Sequence, residues 1–192
     1  MALKHSTYHD ENVVGLNMEN ASLTHREFSG CVFQDCDFTG ANFADTRFID
    51  CFFQRCNLSN INVENANMQD VTFEESKLAG IIFSALNTFL IDVAFENCKI
   101  IACDFTDLNL RNTKFTACTV HETDFVNTSL AGASFAKADL QGTNFRNVNL
   151  ENCNFAAATR YYIDPTQNRM KRAKFSVPEV LSLLSVFQIE ID

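Results

Sequence analysis

The sequence predicts an all-β solenoid closed by a C-terminal helix, and three observations carry that prediction. Apolar residues recur at every fifth position along most of the 192-residue chain. The composition is lopsided, with 19 Phe against 3 Tyr and no Trp, which marks a local demand repeated many times. All six Gly fall at one phase of the repeat once Val13 is counted as an early member. A helix would show a period of about 3.6 residues and a half-buried strand a period of about 2, and a five-residue spacing fits neither.

Size and charge bound the reading. At 46% apolar residues the chain has enough to build a core, and its length suits one domain or two small ones. The net charge of −9 argues against a protein that tracks nucleic-acid phosphates, so no direct nucleic-acid partner is expected. Residues 1–15 hold no apolar segment of signal-peptide type. The most apolar stretch, Ile81–Ala94, is short and contains Asn87 and Asp92, so no membrane segment is read. A cytoplasmic location is the expectation.

Residues 1–17 are assigned to an N-terminal arm and cap, and residues 18–160 to the repeat. Its first run goes from Met18 through Leu23, Phe28, Phe33, Phe38, Phe43, Phe48 and Phe53 to Phe83, and its second from Leu90 to Phe155. With the Phe or Leu position called i, position i−2 is small or medium-sized, Arg26 being an exception, and position i+2 collects the Gly. Glycine held to one phase points to a corner that needs backbone freedom. Two inward residues per repeat fill a narrow core, three face water, and coils stack through backbone hydrogen bonds about 4.8 Å apart.

The phase changes once. Phe83 to Leu90 is seven residues instead of five, with Leu86 and Phe89 off the ladder. The break at 84–89 is read as a local kink, a bulge absorbed at a corner and a small partner-contact loop being the other readings. Beyond the repeat, residues 161–192 form a capping and dimerisation segment. Ser176-Val177-Pro178-Glu179 matches a capping box with Pro in the first turn, and an apolar stripe follows, predicting an α-helix at about 177–187. That helix covers the open coil end. Its apolar surplus at Val180, Leu181, Leu184 and Phe187 suits a two-fold interface with a second copy.

The eight Cys all occupy position i−2, which reads as small buried hydrophobes and not as metal ligands or disulfides. The four His have no ligand-like spacing, and no phosphate loop, GxSxG or HExxH occurs. No catalytic, cofactor-binding or metal-binding residue is assigned, and an enzyme is not expected.

Ala41-Asn42-Phe43-Ala44-Asp45 and Ala138-Asp139-Leu140-Gln141-Gly142 resemble the pentapeptide-repeat motif A(N/D)LXX, and the resemblance covers Met18–Phe155. It implies a right-handed quadrilateral β-helix with four repeats, twenty residues, per coil. Phe95, Phe115, Phe135 and Phe155 then stack on one face, and Phe105, Phe125 and Phe145 on the opposite one. The tail, with Tyr161, Ile163-Asp164-Pro165, Asn168, Lys171-Arg172-Ala173, Phe175-Ser176 and Pro178-Glu179, resembles the topoisomerase-protecting members of the Qnr, AlbG and McbG type, AlbG most closely. That likeness implies a rod-shaped homodimer that imitates DNA, binds DNA gyrase and protects it from a quinolone or albicidin. Many Qnr members carry long loops, whereas this chain has only a two-residue insertion.

Charge fits the implied role in part. Residues 1–160 hold 20 acids and 11 bases, and residues 161–192 hold four of each. Asp104, Asp107 and Asp124 share one face with Glu122 beside it, the candidate partner-binding surface. The functional expectation is a DNA-mimicking gyrase binder that confers antibiotic resistance. The other reading is a pentapeptide-repeat scaffold for a different protein, with no topoisomerase role.

Overall fold

The computed structural model describes residues 5–190; residues 1–4 and 191–192, within the sequence-assigned arm and tail, lie outside the described residues. The chain winds as a four-sided parallel β-solenoid of about eight turns. Away from the insertion, strands pair in parallel with those a coil later at a register of twenty residues: Phe28 beside Phe48, Phe33 beside Phe53, and Thr119 beside Asp139. Two strands, Arg47–Gln54 and Asn67–Glu74, run unbroken around a corner, while much of the later solenoid is held by single bridges.

The five-residue period becomes four columns of inward side chains. The first side stacks Tyr8, Phe28, Phe48 and Met68, and the second stacks Val13, Phe33, Phe53, Phe73, Phe95, Phe115, Phe135 and Phe155. Phe38, Leu58, Leu78, Ile100, Val120 and Leu140 fill the third, and Leu23, Phe43, Val63, Phe83, Phe105, Phe125 and Phe145 the fourth. The expected ladders form: rings stack at 5.0 Å for Phe95–Phe115, 4.8 Å for Phe115–Phe135 and 5.2 Å for Phe135–Phe155. On the opposite side Phe105–Phe125 and Phe125–Phe145 stack at 5.0 and 5.5 Å. The columns meet edge to face across the core, as Phe115 and Phe125 do at 84°, an arrangement favoured by the ring quadrupole.

Position i+2 is the corner in a left-handed conformation. Gly30 and Gly142 take φ of 64° and 70° there, but so do Asp35, Asn60, Asp107 and Asn127. Asn and Asp tolerate this region better than other non-Gly residues. At Gly30 a Cβ would also meet the Asp10 carboxylate one coil below, which would have to shift to admit it.

Three boundaries differ from the sequence reading. The solenoid starts at Thr7–His9, inside the assigned arm, because Tyr8 substitutes for Phe at the foot of the first column and stacks on Phe28 at 5.0 Å. Arg26, the odd i−2 residue, donates to the His5 carbonyl and the Tyr8 hydroxyl at this open end. The ladder also runs past 160, with Phe175 stacked on Phe155 at 5.0 Å. At the break, Leu86 is buried and Leu90 is 51% exposed, the reverse of the expected assignment. Leu86 donates its N–H to the Phe83 carbonyl and completes an ordinary corner, so the two extra residues are extruded after it, leaving Phe89 83% exposed. The ladder is continuous through this point, Phe73–Phe95 at 5.3 Å and Phe83–Phe105 at 4.4 Å, with the register stepping from twenty to twenty-two residues.

The predicted α-helix is instead a 3₁₀ helix, Glu179–Phe187, following a cis Val177–Pro178 bond. The capping box does not form. Ser176 Oγ accepts the N–H of Ala157 and Glu179 Oε1 accepts the N–H of Arg160, so both side chains satisfy the last coil's backbone. The helix start receives no side-chain cap and tightens, Leu181 N–H bonding the Pro178 carbonyl three residues back.

Candidate functional site

The acidic surface is built by the register. On the fourth side Ile82, Asp104, Asp124 and Asn144 are successive rungs, each immediately before an inward Phe. Asp104 Oδ2 accepts from the Ser84 hydroxyl at 2.7 Å, and its other oxygen accepts the Thr106 N–H at 2.8 Å. Burial works to raise the Asp104 pKa, but these hydrogen bonds prevail and hold its carboxyl below the usual range. Asp124 accepts from Asn144 at 2.8 Å. Around the corner Asp107, at φ 62°, accepts from Asn127 at 2.9 Å, and Asn127 accepts from Asn147 at 2.8 Å. Asp104 is half-buried, while Asp107, Asp124 and Glu122 are exposed. Glu122 sits at the preceding corner, beneath Gly142, whose missing side chain leaves it room. Asp104 and Asp124 are thus adjacent rungs with Asp107 and Glu122 at the corners on either side, and the side-chain amides of Asn144 and Asn127 donate to Asp124 and Asp107.

The sequence missed a second cluster. His121 Nε2 lies 2.9 Å from Asp139, and the Arg160 guanidinium binds both Asp139 oxygens and approaches His121 at 3.3 Å. The Arg160 guanidinium, followed by the His121 contact, holds the Asp139 carboxyl below its usual range. Spacings of 18 and 21 residues between His121, Asp139 and Arg160 carry no motif; only the twenty-residue coil makes them neighbours. This cluster ties the third side to the tail through Glu179.

The tail residues proposed for dimerisation divide. Leu183 packs on the core, Val180 and Leu184 are half-buried, and Leu181 and Phe187 are exposed. Among the described residues, no group of three or more His, Cys, Asp or Glu could hold a metal ion, and no helix is long and apolar enough to cross a membrane. All eight Cys are buried and unpaired.

The comparisons with known proteins follow this geometry. No curated protein sequence matches the chain. A trypsin-treated variant of QnrB1, described as a plasmid-mediated fluoroquinolone resistance protein, superposes with a TM-score of 0.61 at 16% identity, over 97% of this chain and 91% of that one. HetL, described as involved in heterocyst differentiation regulation in the cyanobacterium Nostoc sp. strain PCC 7120, matches with a TM-score of 0.45 at 15% identity, over 88% and 87%. The family model for the pentapeptide repeat region matches residues 27–89 and 88–160, and with this coverage and the four-sided coil described above, the chain belongs to the pentapeptide-repeat family.

Proposed function

We propose that this chain is a non-enzymatic, DNA-mimicking protein of the cytoplasm that binds DNA gyrase and protects it from a topoisomerase-targeting antibiotic of the quinolone or albicidin type. The observation that carries the reading is the fourth side, where the coil register sets Asp104 and Asp124 one coil apart, each held by a hydrogen bond. A coil rise of about 4.8 Å gives spacing of the same order as phosphates along one DNA strand, about 3.4 Å of axis each. The description of QnrB1 as a resistance protein is consistent with this role, and the closeness of the tail to AlbG-type members belongs to the same proposal. In this reading the chain works as a homodimer, joined through Leu181 and Phe187 with Val180 and Leu184 beside them.

A supercoiling assay with purified gyrase, with and without a poison, tests the proposal. The wild-type chain should restore or temper activity, and the effect should weaken with salt, because exposed charges are screened beyond about 10 Å at 0.1 M. D104K/D107K/D124K should be at least about tenfold less effective with a wild-type far-UV spectrum, since all three residues lie outside the core, Asp107 and Asp124 exposed and Asp104 half-buried. A wild-type chain with no effect on gyrase at any salt would leave the scaffold reading. Sedimentation as a monomer at high concentration would remove the dimer.

A further inference from the structure

We infer that the second side of the last coils, with its leading corner, is a basic edge that docks on the phosphate backbone of duplex DNA. The net charge of −9 hides this edge, because the negative charge lies elsewhere on the rod. Lys114, Ser134, Asn154 and Lys174 are consecutive rungs of the second side. At the corner before it, the N–H of Asn112, Gly132 and Asn152 bond the carbonyls of Ala131, Glu151 and Lys171, so Arg111 and Lys171 share one column, three coils apart, with Arg172 next to Lys171. Lys137 stands at the following corner, at φ 61°. All six cations are exposed. Three coils correspond to about 14 Å, so the edge presents two tiers of positive charge with Lys137 between them.

Three acids stand against the six cations: exposed Asp92 one coil below Asn112, Glu96, and Glu151 within the Arg111–Lys171 column itself. Glu96 lies 4.0 Å from Lys114, and Glu151 is taken by Arg169 at 3.0 Å. Before the insertion the same edge carries Asp35, Asp50, Asp70, Glu74 and Glu75, and there Arg55 is held by Asp35 at 2.7 Å. Asp92 and Glu96 keep the edge acidic for one coil past the insertion, so the sign reverses at the coil of Arg111 and Lys114.

The relief of the edge selects the ligand. Ala131, Gly132, Ser134, Ala136 and Ala156 separate the cations, and such low relief lets a sugar-phosphate backbone approach. Phe115, Phe135 and Phe155 are buried, so no aromatic platform for unstacked bases is offered, which favours duplex over single strand. No large apolar side chain stands between the cations to enter a membrane interface. Contacts made by exposed Lys and Arg with phosphates position a protein without reading sequence.

The test uses the chain alone, so it stands or falls independently of gyrase. Fluorescence anisotropy of a labelled duplex of about 20 base pairs, started near 50 mM salt, should show binding that falls steeply with salt, by about 0.9 in the log–log slope for each phosphate neutralised. K171E/R172E/K174E should flatten the slope by about 2.7 and weaken binding at least about tenfold. K77E/K99E/R146E, the same change in net charge on other sides, should leave the slope unchanged. No binding near 50 mM salt, equal slopes for the two triple variants, or capture by anionic vesicles without capture of duplex would each overturn the inference.

Discussion

The coils before and after the Ser84–Leu90 insertion share one register rule and differ in what fills it. Between Phe28 and Phe53 every side contributes a Phe, and each ring meets the next at a corner: 77° for Phe28–Phe33, 83° for Phe33–Phe38 and 87° for Phe43–Phe48. From Phe95 onward only the second and fourth sides are aromatic, and Leu110, Leu130 and Leu150 occupy the first. The difference teaches that side-chain size is kept throughout in the second column alone from Phe33 on, while the other three columns change width. The second column stays aromatic from Phe33 to Phe175, whereas the first passes from Phe48 through Met68 to Leu110. Met is an adaptable filler for such a change of width. The insertion lies on that same first side, directly above Met68, where the column changes size and stacking is least demanding.

The largest expected effect attacks the later half, where two columns carry the whole aromatic core. Phe125 is fully buried, stacked on Phe105 and Phe145 and edge-on to Phe115 and Phe135. Phe125→Asp removes four ring contacts and leaves a carboxylate with no partner, a loss on the order of 5 kcal/mol. Far-UV circular dichroism should show a chain that no longer melts cooperatively. A variant melting within a few degrees of wild type would place Phe125 outside the core.

A smaller effect sharpens the comparison at its boundary. Leu86 and Phe89 are three residues apart and of similar hydrophobicity, yet one is buried and the other protrudes. Leu86→Ala should cost about 2–4 kcal/mol, as a buried Leu does, while Phe89→Ser should change stability by less than about 0.5 kcal/mol. Urea titration of both variants checks the pair. Equal losses would mean that the insertion is packed and not extruded.

These outcomes bear on how much the sequence discloses. Period, inward positions and the glycine corner are legible because each is repeated many times, and the acids of the fourth side follow from the same count. Single events are not. Counting back from Phe95 puts Leu90 in the ladder, and nothing in Ser84–Leu90 says that the corner closes first at Leu86 and the surplus leaves afterwards. Ser176 and Glu179 have the spacing of a capping box, but the open coil end offers stronger claimants, the N–H groups of Ala157 and Arg160. The His121–Asp139–Arg160 cluster needs the coil length before it can be seen.

The cysteines give the smallest and last prediction. Their phase marks them as buried, but the structure adds that they also serve the backbone at corners. Where the i−2 residue is Ala, as at Ala41 and Ala133, its N–H closes the turn on the carbonyl three residues back. At Cys56, Cys98 and Cys103 the N–H instead goes to Ser76 Oγ, Cys118 Sγ and Thr123 Oγ1 of the next coil. The thiol at such a corner donates to nearby carbonyls: Cys103 to Leu78 and Ile101, both at 3.5 Å. Burial pushes the Cys103 thiol up to about 11, so it stays protonated and able to donate at neutral pH. Long sulfur hydrogen bonds are weak, and Ala fills most of the same space. Cys103→Ala should therefore cost about 1 kcal/mol, seen as a Tm lower by about 2–4 °C for a chain of this length. Cys103→Ser, which keeps a donor, should recover part of that loss if the carbonyl contacts matter. A Ser variant less stable than the Ala variant would mean that the sulfur acts through packing alone, and the corner would then resemble the Ala corners of the rest of the rod.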